Sequence, residues 1–261
     1  MSEIIRIVSN RRNGEFKMFR MTPEKVAKFN PDTRKEFLKI LQRNIQKMSE
    51  YAEACDNLSD KPNITIYRED ACSLPSVPHE EYDLIITSPP YGDSRTTVAY
   101  GEYSRLSMQW IDVFDLTEKE IMGVDKTLMG GKKYRNGFEY TVKSQTLRNI
   151  LEQIKDVDLE RAGDVFSFYS DLEKSISAIA GKTKKDGYHF WVVGNRTVKG
   201  ITIPTDKIIE EIAENYDMKY VYTIERNIIN KVMPSFNSPT NEVGKTVSTM
   251  TGEHIVVLRK E

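Results

Sequence analysis

Cysteines and long apolar runs are both scarce in this chain of 261 residues. Its only two cysteines, Cys55 and Cys72, lack Cys-x-x-Cys spacing, and its three histidines are scattered. Neither a disulfide framework nor a zinc site is therefore expected. No apolar run approaches the roughly 18 to 20 residues of a membrane span, and the N-terminus has no basic-then-apolar signal peptide. We accordingly expect a cytoplasmic protein without a membrane part.

Neither positive nor negative charge is in excess. The net charge of −1 argues against indiscriminate adhesion to nucleic acid. Basic residues are nevertheless bunched at 6–20 and in Gly131-Lys-Lys-Tyr-Arg-Asn-Gly137, where cations mix with aromatics as in phosphate-contacting loops. Solvated surface is the alternative for both runs. The composition, 39% hydrophobic and 30% charged, is that of an ordinary globular protein.

Helical and strand-like patterns alternate along the chain. Apolar spacing predicts helices at about 31–54, 103–111, 118–122, 145–154, 165–180 and 205–215. Strands are predicted at 4–8, 63–67, 82–87, 188–193, 220–224 and 254–258, with a turn at Asp186-Gly187. This alternation favours an α/β sheet covered on both faces. The last two strands should be antiparallel, because no helix joins them.

A short polar loop, Ser88-Pro89-Pro90-Tyr91, follows the predicted strand at 82–87. Ligands of open α/β sheets bind beyond the carboxyl ends of the strands. Two prolines fix the backbone and remove two amide donors, so carbonyl oxygens stay free to accept hydrogen bonds from an amino group. An aromatic ring can stack on a flat base for about 1 to 3 kcal/mol. The alternative is an ordinary turn with a capping aromatic.

Ser88-Pro-Pro-Tyr91 resembles the catalytic motif of amino-methyltransferases, in the form typical of cytosine-N4 DNA enzymes. Adenine-N6 enzymes more usually begin this motif with Asp or Asn. The longer strings Thr87–Gly101 and Val193-Gly-Asn-Arg-Thr-Val-Lys-Gly200 resemble one branch of Ser-Pro-Pro-Tyr methyltransferases, and the likeness runs from about residue 63 to the C-terminus. It implies a Rossmann-like sheet and methyl transfer from S-adenosylmethionine to the N4 amine of cytosine in DNA, in a restriction-modification system. Adenine-N6 or RNA amino-methylation and a non-catalytic DNA-recognition subunit are the alternatives.

The resemblance also implies roles for single residues. The Ser88 hydroxyl and the Pro89 carbonyl would hold the amino hydrogens, while Tyr91 stacks on a base flipped out of the duplex. Asp70 and Ala71 follow the strand at 63–67, where related enzymes contact the adenine of the cofactor; a turn-capping aspartate is the alternative. Candidate contacts to the target base or to DNA are Asp93, Arg95, Tyr100, Asn195, Arg196 and Lys231. The alternatives are that the first three only order their loop, that Asn195 and Arg196 satisfy buried backbone groups, and that the loop with Lys231 is structural.

A glycine-rich cofactor loop is missing from the sequence. Related single-chain enzymes carry an Asp-Pro-Phe-x-Gly-x-Gly-like loop, in which glycines let the backbone approach the ligand. Neither Gly130-Gly131, nor 194–200, nor 9–14 has that form. A sheet with 63–67 at one edge and 82–87 in its centre would also lack the two strands between them, leaving backbone unpaired. We therefore predict a second polypeptide that supplies the loop and both strands, forming a heterodimer.

The domain organisation follows from these assignments. Residues 1–60 are predicted to be an N-terminal extension with a helix. Residues 61–261 are predicted to form the catalytic domain, with a candidate DNA-contacting insertion near 112–160.

Overall fold

The computed structural model describes two compact units, Met1–Tyr67 with Ala99–Val124 and Arg68–Val98 with Asp125–Glu261. The described residues are 2–9, 11–14, 17–56, 63–93, 100–111, 116–227, 236–237, 247–248 and 252–261. Among the helices in these ranges, none is long and apolar enough to cross a membrane. In the division into two units, residues 99–124 belong with the N-terminal unit, which the sequence did not indicate.

The first unit is mainly helical. Its elements are α1 (Ser2–Val8), the hairpin β1 (Arg11–Gly14) and β2 (Lys17–Arg20), α2 (Pro23–Ala27), α3 (Thr33–Asp56), α4 (Tyr100–Ile111) and α5 (Glu118–Gly123). The helices predicted at 31–54, 103–111 and 118–122 are confirmed. The strand predicted at 4–8 is wrong, because α1 covers it. A short apolar run does not distinguish helix from strand by periodicity, and here Ile4 is buried while Glu3 pairs with Arg43 of α3 at 2.7 Å.

The second unit contains a mixed four-stranded sheet. Its strands β3 (Tyr82–Thr87), β4 (Thr183–Val193), β7 (Met218–Asn227) and β10 (Gly252–Lys260) lie in the order β3-β4-β10-β7. Strand β3 is parallel to β4, and β10 is antiparallel to β4 and β7. The short strands β5 (Arg196–Val198) and β6 (Ile201–Ile203) form a hairpin, as do β8 (Phe236–Asn237) and β9 (Val247–Ser248). The predicted α/β class and the antiparallel last pair are confirmed.

Three helices build the core of this unit: α6 (Gln145–Val157), α7 (Leu159–Ala180) and α8 (Thr205–Ala213). Ser144 and Asp158 cap α6 and α7, since their side chains accept backbone amides at 3.0 and 2.9 Å. The helices pack on one face of the sheet around a buried cluster that includes Phe166, Tyr169, Leu172, Trp191, Val193, Ile208, Ile212, Val256 and Leu258. The expectation of helices on both faces is met on this face only, among the described residues.

Two strand predictions differ from the structure for one reason. Residues 63–67 form no strand, and Ile64 and Ile66 are 67% and 89% exposed. Strand β3 lies at an edge of the sheet rather than in its centre. A β-type sequence gains its backbone hydrogen bonds only from a neighbouring strand. Among the described residues, no strand pairs with residues 63–67 or with the second edge of β3.

The turn predicted at Asp186-Gly187 is also wrong, because β4 runs through it. Asp186 has a left-handed backbone, with φ at 67°, and the pairing register of β3 on β4 shifts beside it. A Cβ at Gly187 would lie 2.7 Å from Thr183 Cγ2. The pair therefore marks an irregularity within one strand, which local turn chemistry does not distinguish from a chain reversal.

His189 on β4 makes the stability of the protein depend on pH. Its ring is fully buried, Nε2 hydrogen-bonds to Thr183 at 2.6 Å, and Nδ1 accepts from Trp191 Nε1 at 3.4 Å. Burial, with a smaller contribution from Lys260, lowers the pKa of His189 to about 4. The unfolded chain takes up this proton near pH 6.5, so the contribution of neutral His189 is full above that pH. It is lost as pH falls to about 4, a change of about 3 kcal/mol.

Urea unfolding between pH 7.5 and 4 measures this dependence. We expect the loss of stability in that range to be smaller in His189→Gln than in the wild type by about 3 kcal/mol. Parallel profiles for the two proteins would contradict the role given to His189.

Candidate active site

The loop Ser88–Tyr91 leaves the carboxyl end of β3, next to the end of β4. Thr87 is in register with Trp191, so both strands deliver their following residues to the same edge of the sheet. Ser88 is exposed, Pro89 is buried, and Pro90 and Tyr91 are half-buried. The loop therefore presents one hydroxyl to solvent on a backbone fixed by two prolines.

Tyr91 is held from β10. Its hydroxyl donates to Glu253 Oε1 at 2.8 Å, and Arg226 Nε donates to Glu253 Oε2 at 3.1 Å. Burial raises the pKa of Tyr91, as does the bond to Glu253, while a hydrogen bond from Ser88 lowers it. The hydrogen bond from Arg226 lowers the pKa of Glu253. A protonated Tyr91 thus faces an ionised Glu253, which fixes the direction of the phenol.

The far end of the loop is anchored by a buried charge cluster. Asp93 is fully buried and lies 3.3 Å from Arg161 Nη1 of α7 and 3.7 Å from Arg196 Nη2 of β5. Burial, and then the nearby Arg161, lowers the pKa of Arg196. A Cβ at Gly130 would lie 2.8 Å from Asp93 Cβ, so the close approach requires glycine there. The structure thus brings Asp93 and Arg196 together, with Arg161 as a partner that sequence reasoning missed.

Asn195, two residues after β4, contacts the start of α8. Its Oδ1 accepts the amide of Asp206 at 3.4 Å, and its Nδ2 lies 3.4 Å from His254 Nε2. His254 Nδ1 lies 3.3 Å from Asp206 Oδ2. These contacts tie Asn195 to β10 and α8, at the same edge of the sheet as Ser88.

The residues assigned to the cofactor lie in an exposed turn. Asp70 Oδ1 accepts the amide of Cys72 at 2.9 Å, and its carbonyl accepts the amides of Ser73 and Leu74, each at 3.0 Å. Asp70 and Ala71 are both exposed. The aspartate therefore has the turn-capping geometry, and its accessible carboxylate can still meet a ligand.

The remaining predicted contacts are placed only in part. Tyr100 begins α4 in the first unit. Arg95 and Lys231 lie outside the described residues.

The basic segment 131–137 borders a cleft of about 720 Å³ in the second unit. Lys132 Nζ lies over the Tyr134 ring at 4.8 Å from its centroid, and Tyr134 packs so close to α7 that a Cβ at Gly163 would lie 2.7 Å from its carbonyl oxygen. The cleft is lined by Lys126, Gly131, Lys132, Lys133, Tyr134, Arg135, Glu160 and Asp164. Three lysines, one arginine, an aromatic ring and two carboxylates thus line this space. Cations outnumber carboxylates there, so a phosphate can enter.

Comparison with known proteins gives one extensive sequence match. The chain is 43% identical over 265 residues to Type II methyltransferase M.MvaI from Kocuria varians. The match covers 99% of this chain and 58% of that protein, so the chain spans little more than half the length of this relative. No family model matches the chain.

Solved structures give weaker likenesses. TTHA0409 from Thermus thermophilus, assigned as a DNA modification methylase, overlaps with 73% of this chain and 50% of its own at 15% identity and a TM-score of 0.36. Its complex with S-adenosyl-L-methionine overlaps with 73% and 53% at 17% identity and a TM-score of 0.36. Likenesses at this level establish no shared function.

Proposed function

We propose that this chain is the catalytic component of a DNA methyltransferase that acts on the N4 amine of cytosine, within a restriction-modification system. The observation that carries the proposal is the loop after β3, where exposed Ser88 lies between the strand and a Tyr91 ring held by Glu253. The similarity to a Type II methyltransferase along 99% of the chain supports methyl transfer as the reaction.

The loop suits a poor nucleophile. The lone pair of the cytosine amine is delocalised into the ring, so the enzyme must hold the amine where that lone pair points at the methyl donor. Ser88 donates a hydrogen bond to the Tyr91 hydroxyl, which leaves the Ser88 oxygen free to accept one amino hydrogen, and the Pro89 carbonyl accepts the other. Tyr91 stacks on the flipped base. Most of the rate enhancement is then positioning.

S-adenosylmethionine supplies the methyl group when bound. Within the described residues, the donor set fits only one end of this cofactor: the accessible Asp70 carboxylate suits a hydroxyl or amino group, and no glycine-rich loop lies beside it. We therefore propose that a second polypeptide carries that loop. If the purified chain alone binds S-adenosylmethionine at micromolar affinity and methylates DNA, this part of the proposal is wrong.

The reaction and its polymer can be tested together. The chain, with its partner polypeptide, is offered S-adenosylmethionine carrying a labelled methyl group and equal amounts of duplex DNA, single-stranded DNA or RNA of one sequence. We expect label in the duplex. Label in RNA alone would favour an RNA amino-methyltransferase, and no transfer at all would favour a DNA-recognition subunit.

We also propose that the basic cleft contacts the DNA backbone. Lys133 is exposed beside Lys132 and Tyr134. Asp93 is buried and the Arg196 side chain is only 12% exposed, so we assign this pair to ordering the loop rather than to DNA contact. Lys133→Gln should weaken binding to all duplexes alike, and the slope of log K against log salt should become less negative by about 0.9. Fluorescence anisotropy at several salt concentrations measures both.

A matched control for this prediction is Lys185→Gln. Lys185 is equally exposed but lies near the start of β4, at the opposite end of the sheet from Ser88. Equal losses in the two variants would show that only overall charge matters, against a specific cleft.

A further inference from the structure

One face of the second unit's sheet is apolar and accessible. In the strand register, Leu84 pairs with Tyr188, Ile86 pairs with Phe190, and Ile224 pairs with Ile255, all on the side opposite the buried Trp191. The exposed side chains of this bare face, as we call it, are Leu84, Ile86, Tyr188, Tyr222 and Ile224. Even Val257, which is buried in its centre, lies outside the helix-packed core cluster. Folding of the described residues therefore leaves the five exposed side chains of this face in contact with water.

The edge of the sheet at β3 is also uncovered among the described residues. Within the described residues β3 pairs only with β4, and its side chains Leu84 and Ile86 are 52% and 70% exposed. An open, apolar edge strand is a template for pairing, and proteins usually cover it. The bare face and the open edge meet at these two residues, so one occupant can cover both.

The direction of β3 restricts that occupant. Strand β3 is parallel to β4, and sheets with parallel strands are extended by crossover units whose helices cover a face. The Kocuria varians relative has more than a third of its length outside the match. A protein similar to nearly all of this chain thus carries further polypeptide of sufficient size.

We propose that the second polypeptide docks here, adding a strand parallel to β3 along its open edge and laying apolar helices on the bare face. This rests on the partner assumed in the proposed function, and adds where it binds. A second copy of the chain fits less well, because a two-fold axis at this edge would pair β3 with β3 in antiparallel fashion. Two copies would also still lack the glycine loop.

The test uses the part of the Kocuria varians protein outside the match, produced as a separate polypeptide and mixed with this chain. We expect a one-to-one complex by analytical ultracentrifugation. Amide hydrogens of β3 that do not bond to β4 should become protected from exchange in the complex. Ile86→Glu and Ile224→Glu should each weaken the complex more than about tenfold, because each places a charge in an apolar contact.

Matched controls separate docking from folding and from catalysis. Both isoleucines are exposed in the chain, so the variants should keep the wild-type circular dichroism. Thr202→Glu adds the same charge at the exposed position of β6 and should bind the partner normally, as should Ser88→Ala. Absence of a complex, a homodimer of this chain, or equal binding by the Ile86→Glu variant would overturn the proposal. A complex that forms through this face but transfers no methyl group would overturn only the proposed function.

Discussion

Ser88→Ala should reduce kcat for methyl transfer by about 10² to 10³-fold, with little change in DNA affinity. Loss of one positioned hydrogen-bonding group in an active site has an effect of that size. Ser88 is exposed at the end of β3 and its side chain packs into no core, so the variant should fold normally. Single-turnover kinetics with labelled S-adenosylmethionine, in the presence of the partner, gives the rate, and anisotropy gives the affinity.

Ser49→Ala is the control for this substitution. It removes an equally exposed hydroxyl, from α3 in the other unit, and should leave the rate unchanged. If Ser88→Ala transfers methyl groups as fast as Ser49→Ala, the loop does not hold the amine and the catalytic assignment fails.

Asp93→Asn should destabilise the protein by about 3 to 5 kcal/mol. The substitution keeps the shape of the side chain but leaves Arg196, whose side chain is 12% exposed, without this buried counter-charge. It leaves Arg161, whose side chain is 19% exposed, with Asp164 but without Asp93. Removing one partner of a buried ion pair has a cost in this range. Chemical unfolding monitored by tryptophan fluorescence measures the loss.

Asp164→Asn is the matched comparison. Asp164 pairs with the same Arg161, at 3.0 Å, but its side chain is 19% exposed and Asp93 remains. The expected loss is about 1 kcal/mol or less. Equal losses in the two variants would show that burial of Asp93 is not what makes the cluster important.

The fold could be predicted where the signal is local. The spacing of apolar residues in α6, α7 and α8, and the β-branched and aromatic run of β4, identify those elements without tertiary information. The prediction of a strand at 63–67 was wrong for the opposite reason. A strand forms only where a neighbouring strand supplies its backbone hydrogen bonds. The prediction of a strand at 4–8, where α1 lies, was wrong because five apolar-rich residues fit a helical and a strand pattern equally well.

Only those site residues that are adjacent in sequence could be predicted. Ser88 and Tyr91 are adjacent to each other and to a strong strand signal, so a motif reveals them. Glu253 reaches Tyr91 from 162 residues away, and Arg161 reaches Asp93 from 68 residues away. Such pairs depend on the order β3-β4-β10 and on the packing of α7, which no local pattern encodes. The burial of Asp93 was likewise invisible, because an aspartate in a polar loop is ordinarily solvated.

The modified base itself tests the central claim most directly. Genomic DNA from the organism that encodes the chain is digested to nucleosides and analysed by mass spectrometry, before and after deletion of the gene. We predict that N4-methylcytosine disappears on deletion and returns with the wild-type gene but not with Ser88→Ala. Unchanged N4-methylcytosine, or a loss of N6-methyladenine instead, would contradict the account.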